Sequence, residues 1–425
     1  MTDIKPREEI SETLPDSGRP GAGAGIPKGR RMSTMEGITQ WKNGLSSGDI
    51  GSLPVVLGLI VITVIFQVQN ENFLSAQNLT NLILQLASIA LIATGIVFIL
   101  LIGEIDLSVA AIAGVGAMLI ARLVAPDGNE IPWILALVVT AVVAIGIGLV
   151  HGYFVAKLGV PSLIVTLATF FVLRGLVQGP IAGGTGLIRV TEPAILDVAN
   201  RFLGNGIAWT LGVLAVAIYT IVLVLDDRTA ISQGLTAQSQ VALAGRIGVA
   251  TVMTFGIIAI TTSDRGLPLL AVILALFVTG WTVVAERTRF GRHVYAVGGN
   301  EEAARRAGIN VERIKFACFA IGAFMAAVGG LVVASRLRSA DNAIPVSNLL
   351  LNSIAAAVIG GASLFGGRGR VINALQGALV IGAVESGMGL LGWPSDRKFI
   401  VTGCILLLAV TIDTVTRRAR QSSGR

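Results

Sequence analysis

Residues Asn72–Gly103 read NFLSAQNLTNLILQLASIALIATGIVFILLIG, without one Asp, Glu, Lys or Arg. A helix crosses the hydrocarbon of a bilayer in about 20 residues, so this stretch is long enough to span a membrane. Its apolar residues keep neither to one helical face nor to strand alternation, the pattern of a segment with apolar surroundings on every side. Ile131–Ala156 and Asn342–Gly367 are similarly free of those four residue types. Composition agrees along the chain: of 425 residues 53% are hydrophobic and 13% charged, with mean hydropathy +0.79. Soluble domains carry about 25% charged residues. A soluble enzyme, a nucleic-acid-binding protein and a disordered scaffold are thereby excluded, despite a net charge of +7 and a pI of about 9.9. The expected fold class is all-α, a polytopic membrane protein.

Cutting the chain at charges and at Pro or Gly clusters predicts about 12 transmembrane helices. They centre on Leu59, Ala90, Val115, Ala141, Leu167, Val216, Thr254, Leu274, Ala326, Ala357, Val380 and Leu407, with the third and the last two short or weakly bounded. Cytoplasmic segments collect Lys and Arg. With the N-terminus inside, 23 of the 32 basic residues fall on the cytoplasmic side, seven of them in the N-terminal tail and seven between Arg287 and Lys315. Both termini are therefore expected in the cytoplasm, with anionic headgroups as neighbours. Residues 1–51 form a polar tract that is no signal peptide and reads as a disordered cytoplasmic tail. Residues 52–414 form the transmembrane domain with a cytoplasmic loop at 286–315, and 415–425 a basic cytoplasmic tail. Cys318 and Cys404 read as small core residues, and two distant histidines make no metal site.

The loop 286–315 spells a complete short helix. Asn300 is a good N-cap, Glu301 and Glu302 suit the first turn, Arg305 and Arg306 the last, and Gly308 can take the position just past the end. Its non-polar positions are only Ala303, Ala304 and Ala307, small enough for another protein's surface to approach. A solvated loop helix is the plainer reading of the same residues.

The run from Gly291 through Gly298, Gly299 and Asn300 to EEAARRAGI at Glu301–Ile309 resembles the coupling segment of the permease subunits of bacterial ABC monosaccharide importers, the ribose, xylose and arabinose type. Three further stretches agree in order: GEIDLS at Gly103–Ser108, PSLIVTLATFFVLRG at Pro161–Gly175, and IAAAVIGGASLFGGRG at Ile354–Gly369. The resemblance covers about Leu53 to Arg418 and is strongest to the xylose permeases, which similarly carry an extra stretch before the coupling loop, here Asp226–Arg246 and the span near Thr254. It departs at Leu350, Leu351 and Asn352, where the family usually shows Glu-Leu-Asp, and at Ala110 and Asn373, where glycines are usual. Losing two carboxylates implies a different sugar or a carboxylate supplied from elsewhere.

This resemblance implies a multi-pass subunit of the bacterial inner (plasma) membrane that imports a monosaccharide. Its expected partners are a cytoplasmic ATP-binding subunit, an extracytoplasmic sugar-binding protein, a second permease copy in a homodimer, and membrane lipid. The chain has no G-x-x-x-x-G-K-[ST] and no Gly-Lys dipeptide, so it cannot cradle phosphates as a P-loop does. ATP and Mg are expected on the partner, with no cofactor and no catalytic residue in this chain. Candidate pathway or gate residues are Asn81, Gln85, Glu104, Asp106, Thr166, Arg174 and Asn352. Glu104 and Asp106 equally suit helix capping, Arg174 equally suits a headgroup, and the neutral residues equally suit interhelical hydrogen bonds. A secondary transporter using Glu104, Asp106 and Asp413 for proton or sodium coupling is the alternative.

Overall fold

The apolar runs fold as helices, because a backbone shielded from water must satisfy its N–H and C=O groups within its own segment. The computed structural model describes residues 31–33, 35–36, 53–126, 130–181, 186–344 and 348–422. In chain order the helices are α1 Leu53–Gln69, α2 Ala76–Leu101, α3 Val109–Val124, α4 Trp133–Gly152, α5 Ser162–Leu176, α6 Pro193–Asn200, α7 Asn205–Ser232, α8 Gln240–Asp264, α9 Leu269–Arg287, α10 Arg289–Gly299, α11 Glu301–Arg306, α12 Val311–Leu337, α13 Leu349–Ile359, α14 Asn373–Leu390 and α15 Ser395–Ser422. Two antiparallel ribbons accompany them: β1 Leu187–Arg189 with β4 Ser339–Asp341, and β2 Phe202–Leu203 with β3 Leu267–Pro268.

Each expected span centre lies in a helix. Among the described residues seven helices, those starting at Ala76, Trp133, Ser162, Asn205, Gln240, Leu269 and Val311, are long and apolar enough to cross a membrane. The tenth expected span is shorter than its apolar run suggests, because α13 ends at Gly360 and the chain turns at Gly361 with φ +90°. α15 continues as helix to Ser422, through most of the expected 415–425 tail. Cys318 is buried, but Cys404, expected in the core, is exposed: in a membrane protein an apolar surface can face lipid.

The chain divides into two compact units, one of them Leu214–Thr251 with the described N-terminal residues, the other the remainder. In the smaller unit Arg31 Nη2 bonds Asp227 Oδ2 at 2.6 Å, and the Met32 N–H donates to the Ala237 carbonyl at 3.0 Å. Apart from residues 31–33 and 35–36, the 1–51 tail lies outside the described residues.

In the larger unit α12 packs along α2, α3 and α4, while α13 and α14 pack on α2. Lipid is as apolar as leucine, so helices associate here through close van der Waals packing. Gly330 of α12 lies against the Ala113 carbonyl, and Gly148 of α4 against the Phe319 carbonyl; a Cβ at either would overlap main chain. Phe98 and Phe319 are fully buried, and Phe98 meets Trp281 edge-on at 5.5 Å.

Candidate functional site

The loop between α9 and α12 holds two helices, where a single one was expected. Thr288 caps α10 by accepting the Gly291 N–H, and Gly291, Val294 and Val297 bury one face. Their i, i+3 spacing is an amphipathic signal visible in the sequence. α11 forms as its residues predict. The Asn300 side chain accepts the Ala303 N–H at 2.9 Å, and Glu301–Arg305 and Glu302–Arg306 pair at i, i+4, each at 3.0 Å. Gly308, at φ +82°, donates to the Arg305 carbonyl while Ile309 donates to Ala304, both at 3.0 Å, a Schellman closure. Ala304 is buried within the chain, whereas Glu302, Ala303, Arg306 and Ala307 form one exposed face. The surface open to a partner is that face.

The four sequence signatures, far apart in the chain, meet at one place. Gly298 sits against the Leu101 carbonyl and Gly367, with no room for a Cβ, and the Gly367 N–H donates to the Leu101 carbonyl at 2.9 Å. Tyr295 Oη donates to the Gly369 carbonyl at 2.8 Å, and Arg370 grips Glu286 with two bonds of 2.8 and 2.9 Å. Burial, reinforced by the Glu286 charge and opposed by Arg370, holds the Tyr295 phenol above its ordinary range. From the other side, the Ile105 N–H donates to Ser162 Oγ and the Leu107 N–H to Thr166 Oγ1, both at 3.2 Å. Thr166 therefore ties α5 to the junction between α2 and α3 through main chain.

The two acids of that junction have different partners. Glu104 accepts from Lys315 Nζ at 2.8 Å, and Lys315 also reaches Glu301 at 2.9 Å. Burial opposes ionisation of Glu301, but Lys315 and Arg305 outweigh it and hold its carboxyl below the usual range. Asp106 Oδ1 accepts from both the N–H and the hydroxyl of Ser108, which occupies the N-cap position of α3 without a capping bond from its side chain. His151 is wholly buried, edge-on to Phe319, with Nδ1 3.7 Å from Asp106 Oδ2.

The remaining candidates lie elsewhere. Asn81 accepts from Arg265 at 2.5 Å, and Arg265 also lies over the Phe202 ring and beside Asp264. Gln85 is half-buried one turn along α2, and Arg174 half-buried in the last turn of α5. Asn352 of α13 donates to Glu385 of α14 at 2.6 Å, while its buried Oδ1 has no hydrogen-bond partner. Next to it on α14, Ser386 donates to Asn78 at 2.9 Å. Lys315 and Glu385 are the residues that sequence reasoning missed. Glu385 carried a signal, being the lone acid between Arg370 and Asp396, where an ionisable group in an apolar run is costly and marks function. It places a carboxylate beside the position where Asn352 lacks one.

The chain is similar to known proteins along most of its length. The family described as "Branched-chain amino acid transport system / permease component" matches residues 78–410. A xylose transport system permease protein of Escherichia coli is 35% identical over 378 residues, covering 88% of this chain and 95% of that protein. Its counterpart in Haemophilus influenzae is 35% identical, covering 86% and 98%. A ribose import permease protein of Bacillus subtilis is 31% identical, covering 90% and 98%. No solved structure matches the chain.

Proposed function

The chain belongs to the transport-system permease component family, and from that premise we propose that it is the membrane-spanning subunit of an ABC importer for xylose or a related monosaccharide. It is a multi-pass membrane protein, and it works with an ATP-binding subunit on the cytoplasmic face and an extracytoplasmic sugar-binding protein. The observation that carries this reading is the meeting of the four signatures around α10 and α11, with the face of Glu302, Ala303, Arg306 and Ala307 left exposed. A rigid helix presented on a loop and bonded to the span junctions is what a motor subunit needs as a handle.

ATP and Mg belong to that partner subunit, and a second permease copy completes the pathway. Twelve passes with both termini inside fit the connections. Those near Leu101, Ser162, Gly298 and Gly367 meet at one end of the larger unit. Those near Arg189, Arg201, Gly266 and Arg338 gather apart from them: Leu269 donates to Arg201, and Val190 to Arg338. The excess of basic residues in those loops supports the first end as the cytoplasmic one. Mechanistically, closure of the ATPase moves the exposed face of α11 and shifts the spans between two packings, each partner making different contacts in the two states. Gly298 to Gly308 carry the coupling. Asn81, Gln85, Asn352 and Glu385 offer sugar hydroxyls hydrogen-bond partners along the pathway.

Ion coupling by Glu104 has less to support it, since Lys315 already pairs with it, and Asp106 commits Oδ1 to Ser108 with Oδ2 alone lacking a hydrogen bond. Uptake by proteoliposomes holding the assembled complex, with ATP inside and a protonophore added, tests the choice. Persisting uphill import supports the importer; collapse of import at constant ATP means a secondary transporter.

A further inference from the structure

Lys315 lies in the first turns of α12, behind the Asn310 cap. Its ammonium bridges carboxylates from two other elements: Glu104 of the α2–α3 junction at 2.8 Å and Glu301 of α11 at 2.9 Å. The Lys315 side chain is 10% exposed, against 57% and 79% for Arg305 and Arg306 in the pairs within α11. Exposed pairs contribute little, whereas a buried charge left without its partner is strongly unfavourable. The bridge therefore resists separation of the three elements while the outer pairs do not. Alongside it lies a cavity of about 280 Å³, lined by Glu104, Glu301, Arg305, Glu312, Lys315 and Pro161 among others. That polar space lets α11 shift without stripping its charges of polar surroundings.

We infer that Lys315 is a positioning residue that transmits displacement of α11 to the base of α12 and to the Gly103–Asp106 junction, because it is bonded to both carboxylates at once. α12 packs along α2, α3 and α4, so a pull at its base reaches the core of the larger unit. The inference rests on the ATP-driven reading above.

The test is the number of ATP molecules hydrolysed per sugar imported, measured in proteoliposomes with the assembled complex of permease, ATP-binding subunit and sugar-binding protein. Lys315→Met removes the donor of both bonds at similar length and is expected to raise that number by about fivefold or more, the lower end of ordinary coupling effects. Lys315→Arg keeps both bonds and is expected to stay within about twofold of the unmodified chain. Where the Lys315 variant fails to assemble, Glu301→Ala decides, since it removes the acceptor on α11 while leaving Lys315 on Glu104. Glu301→Ala with unmodified stoichiometry overturns the role of Lys315. An unmodified complex that imports no sugar with ATP overturns the underlying reading as well.

Discussion

The cytoplasmic junction and the polar positions on α13 and α14 use similar residues in opposite ways. At the junction, polar groups are matched across elements: Glu104 and Glu301 through Lys315, Tyr295 with the Gly369 carbonyl, Arg370 with Glu286. Deeper in the bundle, Asn352 bonds Glu385 by its amide nitrogen, but Asn352 Oδ1 and the neighbouring Ser353 Oγ are buried without hydrogen-bond partners. Ion-paired groups fix geometry and pass on displacement, although on the inner side of the junction Asp106 Oδ2 and both His151 ring nitrogens are also buried without hydrogen bonds. Unpaired buried groups are costly to keep. On the proposed reading, those of α13 are the ones a polyhydroxylated ligand would pair.

The strongest way to break this contrast is Gly298→Val. Its Cβ would overlap the Leu101 carbonyl, and overpacking of this kind costs about 1–3 kcal/mol or more. ATP-driven import should fall more than about tenfold, with a lower unfolding temperature of the permease in detergent. Wild-type import would show that the signatures need not touch.

A second comparison separates the two faces of α11. Ala303→Trp alters only the exposed face, so sugar-stimulated ATPase should fall about tenfold, equivalent to roughly 1.4 kcal/mol, at unchanged permease stability. Ala304→Trp alters the buried face and should destabilise the permease by about 1–3 kcal/mol. Equal thermal shifts for the two would erase the distinction.

On the pathway side, Glu385→Ala removes the acceptor of the Asn352 amide. A buried polar group left unpaired costs about 1–3 kcal/mol, so sugar uptake at low concentration should drop about tenfold. Hydrolysis of ATP without sugar should change little, which direct assay of both rates checks.

The smallest effect concerns pH. The Glu301 carboxyl is held below its ordinary range, with burial opposing and Lys315 and Arg305 prevailing. Its contribution to stability is present above the unfolded-state pKa of about 4.3 and is lost as pH falls through the lower folded value. The Lys315 bridge should survive to pH 5, with stability declining only in more acidic solution. Thermal unfolding of Glu301→Gln should lack this part of the acid dependence.

Much of this was legible in the sequence, because lipid imposes a simple rule on backbone polarity. The run Asn72–Gly103 gave α2, and Asn300, Glu301, Arg306 and Gly308 gave the caps and charges of α11. α10 escaped because its buried face is carried by a glycine and two valines among arginines, a faint stripe beside the neighbouring spans. The bridge escaped for another reason: Glu104, Glu301 and Lys315 are joined only when α12 docks on the α2–α3 junction, and no local spacing encodes that. Glu385 was visible as a lone acid, but its pairing with Asn352 depends on how α13 and α14 lie together.

The central claim is that α11 and the base of α12 move as one body when the motor closes. Spin labels at Ala307→Cys and Arg313→Cys, both exposed, in a background lacking Cys318 and Cys404, measure it in the assembled complex. A third label at Leu187→Cys reports on β1. With and without ATP, the separation between positions 307 and 313 is predicted to stay constant, while both shift relative to position 187. A change confined to the 307–313 separation would contradict the account.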